Sequence, residues 1–323
     1  MLPRHVVEAM AFAANNAIEK ALLLGSQAMC SPPRTEVGFV AAVTLGAITE
    51  IATAWKPLCA GSGFLLKLTG VFCHAAPMVS FTDAKGRSRR CELADLLIVV
   101  DIITAGSLVR RAALIQAKMA RAAGRVSLSG RSSRTQLDLY QNWYPFDFVE
   151  AAYGMNQINF HAGGAAADSG TFGVIDRHLR DPASSPPVWT QHAASPTPVV
   201  TLNHPQLGEF ITEMVDGTMA RFGRLSTPSL QTDWSKAVER LLAITYARVF
   251  HHKATLGSVN TPRGVSTVAC LSFQTMADLT REVWGGSGRQ PPFDDVRIIE
   301  DDGEPSGISV VHITVDDDFA CRS

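Results

Sequence analysis

The sequence predicts an α+β chain in which a sheet-bearing core carries two early helices and is followed by a mainly helical C-terminal region. Apolar residues recur at helical spacing from Val6 to Trp55. Short β-prone runs bounded by turn residues occupy Phe64 to Met119, and helical spacing returns beyond Leu207. A chain of 323 residues is long for one compact core, so two unequal domains are expected. The division is 1–150 for the core with its N-terminal helices, 151–198 for a linker, and 199–323 for a helical region ending in acidic strands.

Val6 to Leu24 reads as a first helix and Glu36 to Trp55 as a second, with Val37, Val40, Val43, Ile48 and Ile51 at helical spacing. Ser31-Pro32-Pro33 separates them. After Pro57 the pattern turns to strands over Phe64 to Cys73 and Met78 to Phe81, followed by a polar turn from Asp83 to Arg90. Leu93 to Ile103 and Ala112 to Met119 are apolar strands joined through Thr104-Ala105-Gly106-Ser107, which predicts an antiparallel hairpin. A turn centred near Gly106 brings Asp95 opposite the Gln116 to Lys118 segment. Thr135 to Tyr140 reads as a short helix, and Trp143-Tyr144-Pro145-Phe146 closes the core. Gly163 to Pro198 is rich in Gly, Ala, Ser and Pro and reads as loop. Helices are expected over Leu207 to Phe222, over Trp234 to His251 behind an Asp233 cap, and over Phe273 to Trp284. Val296 to Ile299 and Ile308 to Val315 read as closing strands.

Hydrophobic residues at 46% and charged residues at 18% exclude a disordered or fibrous chain. The longest aliphatic run, Leu96 to Val100, is far short of the roughly 18 apolar residues that span a membrane. Glu8, Glu19 and Lys20 interrupt the N-terminal apolar positions, unlike a signal peptide, so a cytoplasmic protein is expected. Cys30, Cys59, Cys73, Cys91, Cys270 and Cys321 form no CxxC pair and read as reduced packing residues.

The net charge of −1 conceals segregation along the chain. The last thirty residues hold nine acids against Arg297 and Arg322, leaving 27 basic and 21 acidic residues before them. From Ile102 to Leu137 there is no acid, while Arg110, Arg111, Lys118, Arg121, Arg125, Arg131 and Arg134 fall there, a stretch able to face phosphate. The acidic tail reads as a solvated edge.

Gln116 and Lys118 lie two apart on a strand, so both side chains leave one face while Ala117 points the other way. Phosphodiester cleavage uses a divalent ion to polarise the phosphate and lower the pKa of a water, together with a cation for the developing charge. Asp95 can hold a hard cation such as Mg²⁺, Gln116 and the Ala117 carbonyl can add oxygens, and Lys118 can orient the attacking water. A structural Asp95 to Lys118 ion pair across the hairpin is the other reading of these positions.

The segments Cys91-Glu92-Leu93-Ala94-Asp95-Leu96-Leu97 and Leu114-Ile115-Gln116-Ala117-Lys118 resemble the D…(D/E/Q)xK signature of PD-(D/E)XK nucleases, in the QxK variant of some Mrr-type and defence-associated members. The resemblance covers roughly residues 36–150. It implies a restriction-endonuclease-like α/β nuclease core, a central mixed sheet flanked by helices, that hydrolyses phosphodiester bonds with Mg²⁺ or Mn²⁺, DNA being the favoured substrate. The family's metal-binding roles fall on Asp95 and Gln116, and its catalytic lysine on Lys118. A glutamate from the helix before the sheet often joins them; Glu36 is the choice, and Glu50, fourteen residues on, shares nearly the same helical face. Gln136-Leu137-Asp138-Leu139-Tyr140 resembles the QxxxY motif of RecB-type nucleases, which contacts DNA or supports the site. The candidate nucleic-acid contacts are therefore Arg121, Arg125, Arg131, Arg134, Gln136 and Tyr140.

Two features depart from the family pattern. No proline directly precedes Asp95, and glutamine replaces the usual acidic ligand without its charge, leaving Glu36, Glu50 or Glu92 to compensate. Glu92, three before Asp95, points to the opposite face in a regular strand. The glutamine also leaves open a fold without turnover that binds nucleic acid or serves assembly, and the C-terminal region is the part suited to recognition or homo-oligomer formation. His74, His251 and His252 have no spaced partner and receive no role, and Gly61-Ser62-Gly63 lacks the lysine of a P-loop.

Overall fold

The computed structural model describes residues 2–25, 32–59, 65–73, 76–120, 126–163, 166–177, 185–195, 203–216, 222–251, 268–274, 297–299 and 307–316. Helix α1 (Arg4–Leu24) buries Met10, Ala14, Ala17, Ile18, Ala21 and Leu22 along one face. Helix α2 (Glu36–Ala42) opens on Thr35, whose hydroxyl accepts the Gly38 N–H at 3.1 Å and satisfies one of the free amides of the first turn. It passes through a π turn at Val43–Ala47 into α3 (Ile48–Cys59), where the Trp55 indole donates to the Met10 carbonyl at 2.9 Å. By length and composition Glu36–Cys59 is able to cross a membrane, yet 67% of its most apolar window is buried inside the protein. It is a core helix, its apolar positions packed against α1 and the sheet while Glu50, Thr53 and Lys56 stay exposed.

The strands in chain order are β1 (Leu65–Cys73), β2 (Met78–Thr82), β3 (Ser88–Glu92), β4 (Leu96–Thr104), β5 (Ser107–Met119), β6 (Phe146–Phe148), β7 (Gly170–Asp176), β8 (Val188–His192), β9 (Arg224–Leu225), β10 (Val268–Gln274), β11 (Arg297–Ile299) and β12 (Ser309–Asp316). A mixed sheet runs β11-β10-β1-β12-β4-β5-β7-β8, with β9 beside β5, and a small second sheet runs β3-β2-β6. The pairs β12 with β4 and β5 with β7 are parallel; the other pairs are antiparallel. Helices α4 (Arg131–Asn142), α5 (Leu207–Asp216) and α6 (Asp233–His251) complete the chain.

Strand alternation divides the core into two layers. Leu96, Ile98, Val100, Ala113, Ile115 and Ala117 pack with α1, α3 and α5. Leu97, Val99, Ala112 and Leu114 face the other way, toward Tyr140 and Trp143 of α4 and Trp234 and Leu241 of α6. By the same alternation Asp95, Gln116 and Lys118 belong to this second face.

The α+β class and the central hairpin match expectation; the partition of the chain does not. The 151–198 segment expected as a linker contains β7 and β8, and β7 lies directly against β5. Its glycines serve packing: a Cβ at Gly170 would come within 2.7 Å of the Tyr140 ring. Strand β12, from the far end of the chain, sits between β1 and β4, so residues 1–150 lack a strand of their own sheet. Thr232, and not Asp233, caps α6, since its hydroxyl accepts the Ser235 N–H at 3.1 Å while Asp233 accepts the Asn159 N–H. The polar turn ends early, Arg89 and Arg90 being in β3. Of the helix expected over Phe273 to Trp284, Phe273 and Gln274 lie in β10 and the rest lies outside the described residues.

The acid-free basic stretch is also divided. Arg110 is 8% exposed and binds Asp101 through Nε and Nη2, at 2.6 and 2.7 Å, while its third nitrogen meets Glu239 of α6. His312 joins Asp101 at 3.0 Å and Tyr246 at 2.7 Å, tying β12 and α6 to the turn end of the β4–β5 hairpin. Arg111 donates to the Gly223 carbonyl at 3.0 Å. Both guanidinium groups are thus engaged within the fold.

Candidate functional site

The β4–β5 hairpin closes through Ala105 and Gly106, both with positive φ (49° and 73°), in the two-residue form whose twist matches the strands. Ladder pairs run from Thr104↔Ser107 to Leu96↔Ile115, and continuing that register brings Asp95 to Gln116. The Asp95 amide donates to the Ile115 carbonyl at 3.0 Å, so Asp95 closes the ladder just before β4 begins.

One carboxylate oxygen of Asp95 accepts the Ala117 N–H at 2.7 Å and also the Gln116 side-chain amide. In an extended strand the N–H and C=O of one residue leave the same edge, so the Ala117 carbonyl faces the Asp95 side as well. Glu36 reaches this end of β5 from the first turn of α2: one oxygen accepts the Met119 N–H at 3.1 Å and the other lies 3.5 Å from the Lys118 ammonium. The Lys118 side chain is 12% exposed and that of Glu36 39%. Geometry thus separates the two helix acids, because Glu50 pairs with Lys20 of α1 at 2.8 Å on the outer surface.

Burial is the largest influence on Asp95 and raises its carboxyl from 3.8 to about 7. Lys118 and the Ala117 N–H oppose the rise, and the charges of Glu92 and Glu36 add to it. Glu92 is exposed and near enough to be felt. An ionised Asp95 therefore needs more positive charge than Lys118 supplies.

Tyr140 and Gln136 lie one turn apart on the inner face of α4, 3% and 1% exposed. The Tyr140 hydroxyl donates to the Leu93 carbonyl at 2.8 Å, and its ring packs on Phe172 of β7 at 5.3 Å. Burial, then the Asp95 charge, lifts the Tyr140 hydroxyl well above its usual range, so it stays a neutral donor. Of the two roles named for the QxxxY motif, this placement suits support of the segment entering Asp95 and withdraws both side chains from direct contact with nucleic acid. Arg131 and Arg134 are exposed on the first turn of α4; Arg121 and Arg125 lie outside the described residues.

The oxygen donors at this end of the hairpin are of the kind a hard divalent cation takes. They are the Asp95 and Glu36 carboxylates, the Ala117 carbonyl, and the Gln116 Oε1, which is buried and meets no hydrogen-bond partner. A half-turn of the Gln116 amide exchanges Nε2 for Oε1 at the Asp95 carboxylate. Among the described residues no group of three His, Cys, Asp or Glu side chains converges as a metal site, so half of this donor set is neutral. Comparison of the chain with protein-family models, with curated proteins and with solved structures finds no match.

One basic group that the sequence did not single out is Lys85, Arg87 and Arg89 of the β2–β3 hairpin, which line a groove with Arg131 and Arg134. The available signal was a run of cations around the Asp83 to Gly86 turn, which resembles an ordinary solvated hairpin.

Proposed function

We propose that the chain is a metal-dependent nuclease, built on a restriction-endonuclease-like core, that hydrolyses phosphodiester bonds in DNA. The observation carrying this reading is the meeting of Asp95, Gln116 and Lys118 at the open end of one hairpin with Glu36 delivered from α2. A bound Mg²⁺ or Mn²⁺ supplies charge to polarise the phosphodiester and to make a water nucleophilic near neutral pH. Asp95, Glu36 and the Gln116 and Ala117 oxygens would hold it. Lys118, steered by Glu36, orients the water and balances the negative charge that develops on phosphate oxygens. Tyr140 holds the backbone at Leu93, two residues before Asp95, and keeps the carboxylate in register with β5.

Purified protein incubated with linear, circular and single-stranded DNA and with RNA, in Mn²⁺ or in EDTA, tests the proposal. Mn²⁺-dependent cleavage of DNA, lost in Lys118→Ala, is the expected outcome; no cleavage of any substrate by wild type overturns it. One observation favours the second reading, a fold without turnover: the small number of charged ligands at the site. That reading requires salt-sensitive DNA binding with little affinity for Mn²⁺.

A further inference from the structure

We propose that the groove between the β2–β3 turn and the first turn of α4 binds the phosphodiester strand of the substrate a few nucleotides from the Asp95 cluster, so that the hairpin sets a minimum substrate length. This rests on the nuclease reading for its substrate, but its residues and its test are separate. The groove encloses about 570 Å³, with Lys85, Arg87 and Arg89 on one wall and Arg131 and Arg134 on the other.

Asp83 organises the first wall. Its side chain is 2% exposed and accepts the backbone amides of Lys85 at 2.9 Å and Arg87 at 3.0 Å. It also accepts the Nε groups of Arg87 and Arg89, each at 2.9 Å. Burial alone would raise this carboxyl, yet these bonds hold it well below the usual carboxylate range, so it stays charged. Each guanidinium has five N–H donors in a fixed fork, so binding Asp83 fixes its orientation and leaves donors over.

The second wall is less neutralised. Helix α4 has no acid in its first turn and no side-chain cap, so its leading amides add to the field of Arg131 and Arg134. Among the described residues neither arginine makes an ion pair, and Lys85 makes none. Asp138 is engaged by Asn142 at 2.9 Å and Tyr144 at 3.3 Å. Five cations against Asp83 and Asp138, spread over two elements, suit a run of phosphates better than a single anion.

Both walls lead to the reacting cluster. From Arg89 in β3 the chain reaches Asp95 in six residues, through Glu92 and the short connection to β4, at most about 20 Å at ~3.3 Å per residue. Helix α4 passes from Arg134 to Tyr140, which touches Leu93, in about 9 Å at ~1.5 Å per residue. At about 3.4 Å per nucleotide along one strand, that reach puts the groove within roughly six nucleotides of Asp95.

The test is fluorescence anisotropy on the full chain in EDTA, with labelled single strands and duplexes from about 4 to about 20 nucleotides across a salt series. Wild type is compared with Arg87→Ala/Arg89→Ala, Arg131→Ala/Arg134→Ala, the charge-conserving Arg131→Lys/Arg134→Lys, and the remote control Arg4→Ala/Lys20→Ala. The alanine pairs at the groove are expected to lose about tenfold or more in affinity for long DNA and to flatten the salt slope by about two. Binding of the shortest strands should be unaffected, and the lysine pair and the control should bind as wild type. Equal long-DNA binding by folded groove variants overturns the proposal, as does competition by inorganic triphosphate as strong as that by a long strand. Cleavage assayed in Mn²⁺ alongside keeps the two readings apart. Groove-dependent binding without cleavage sinks only the nuclease, and cleavage with groove-independent binding sinks only the groove.

Discussion

Replacing Asp95 by asparagine removes the principal carboxylate of the cluster and is expected to stabilise the metal-free protein. Burial lifts this carboxyl from 3.8 to about 7, so the folded protein keeps a proton that the unfolded chain has released across that window. Stability therefore declines as pH rises from about 4 to about 7, the reverse of the usual aspartate. At about 1.4 kcal/mol for each tenfold change, the ceiling on what ionised Asp95 costs at pH 8 is about 4 kcal/mol. Asp95 keeps some solvent contact, which roughly halves the figure to ~2 kcal/mol. Asparagine also suits its neighbours: its oxygen still accepts the Ala117 N–H, and its amide can donate to the Gln116 Oε1 that now has no partner. Urea unfolding in EDTA should show Asp95→Asn more stable by about 2 kcal/mol at pH 8, shrinking below about 1 kcal/mol at pH 5. Mn²⁺ should raise the wild-type midpoint and leave that of the variant in place. A variant no more stable than wild type at pH 8, or an advantage independent of pH, would refute the reasoning that a functional charge is held here at the expense of stability.

Lys118→Ala should abolish Mn²⁺-dependent cleavage while unfolding within about 1 kcal/mol of wild type, since among the described residues its one ion pair is with the partly exposed Glu36; a folded, active variant removes it from the mechanism. Gln116→Glu adds a negative charge opposite Asp95 and should tighten Mn²⁺ binding with the rate kept within about tenfold; calorimetry giving equal affinity on folded protein sinks the ligand assignment. At the other end of the hairpin, Asp101→Asn removes one of the two carboxylates that hold the buried Arg110, and with Glu239 remaining it should cost about 3 kcal/mol. Hydrogen bonds from Arg110 and His312 outweigh burial and hold the Asp101 carboxyl below its ordinary value, so wild-type stability from this group is lost as pH falls toward and below that depressed value. An acid limb of the stability curve unchanged by Asp101→Asn would contradict that assignment.

What the sequence determined by itself is what local pattern encodes. Helical periodicity marked α1 and the run from Glu36, and the Ala105-Gly106 turn between apolar strands set a register in which Asp95 meets Gln116. Two-residue alternation then put Gln116 and Lys118 on one face, so most of the cluster was legible before any tertiary contact was known. Tertiary structure decided the rest, because it depends on groups far apart in the chain. In a regular helix Glu36 and Glu50 would share nearly one face; the π turn at Val43–Ala47 breaks that register, and the placement of α2 over the end of β5 and of α1 over α3 sends one to Lys118 and the other to Lys20. The Gly-rich segment holding β7 has the composition of a loop; Gly170 leaves the space into which Tyr140 and Trp143 pack and Gly173 the space for Trp189, visible only from the side of those rings. Arg110 and Arg131 look alike in a basic stretch, yet Asp101 and Glu239 claim the first while the second faces solvent. Strand β12 enters the middle of the sheet from the end of the chain because a parallel neighbour for β4 must come through a long connection, and periodicity carries no record of pairing partners.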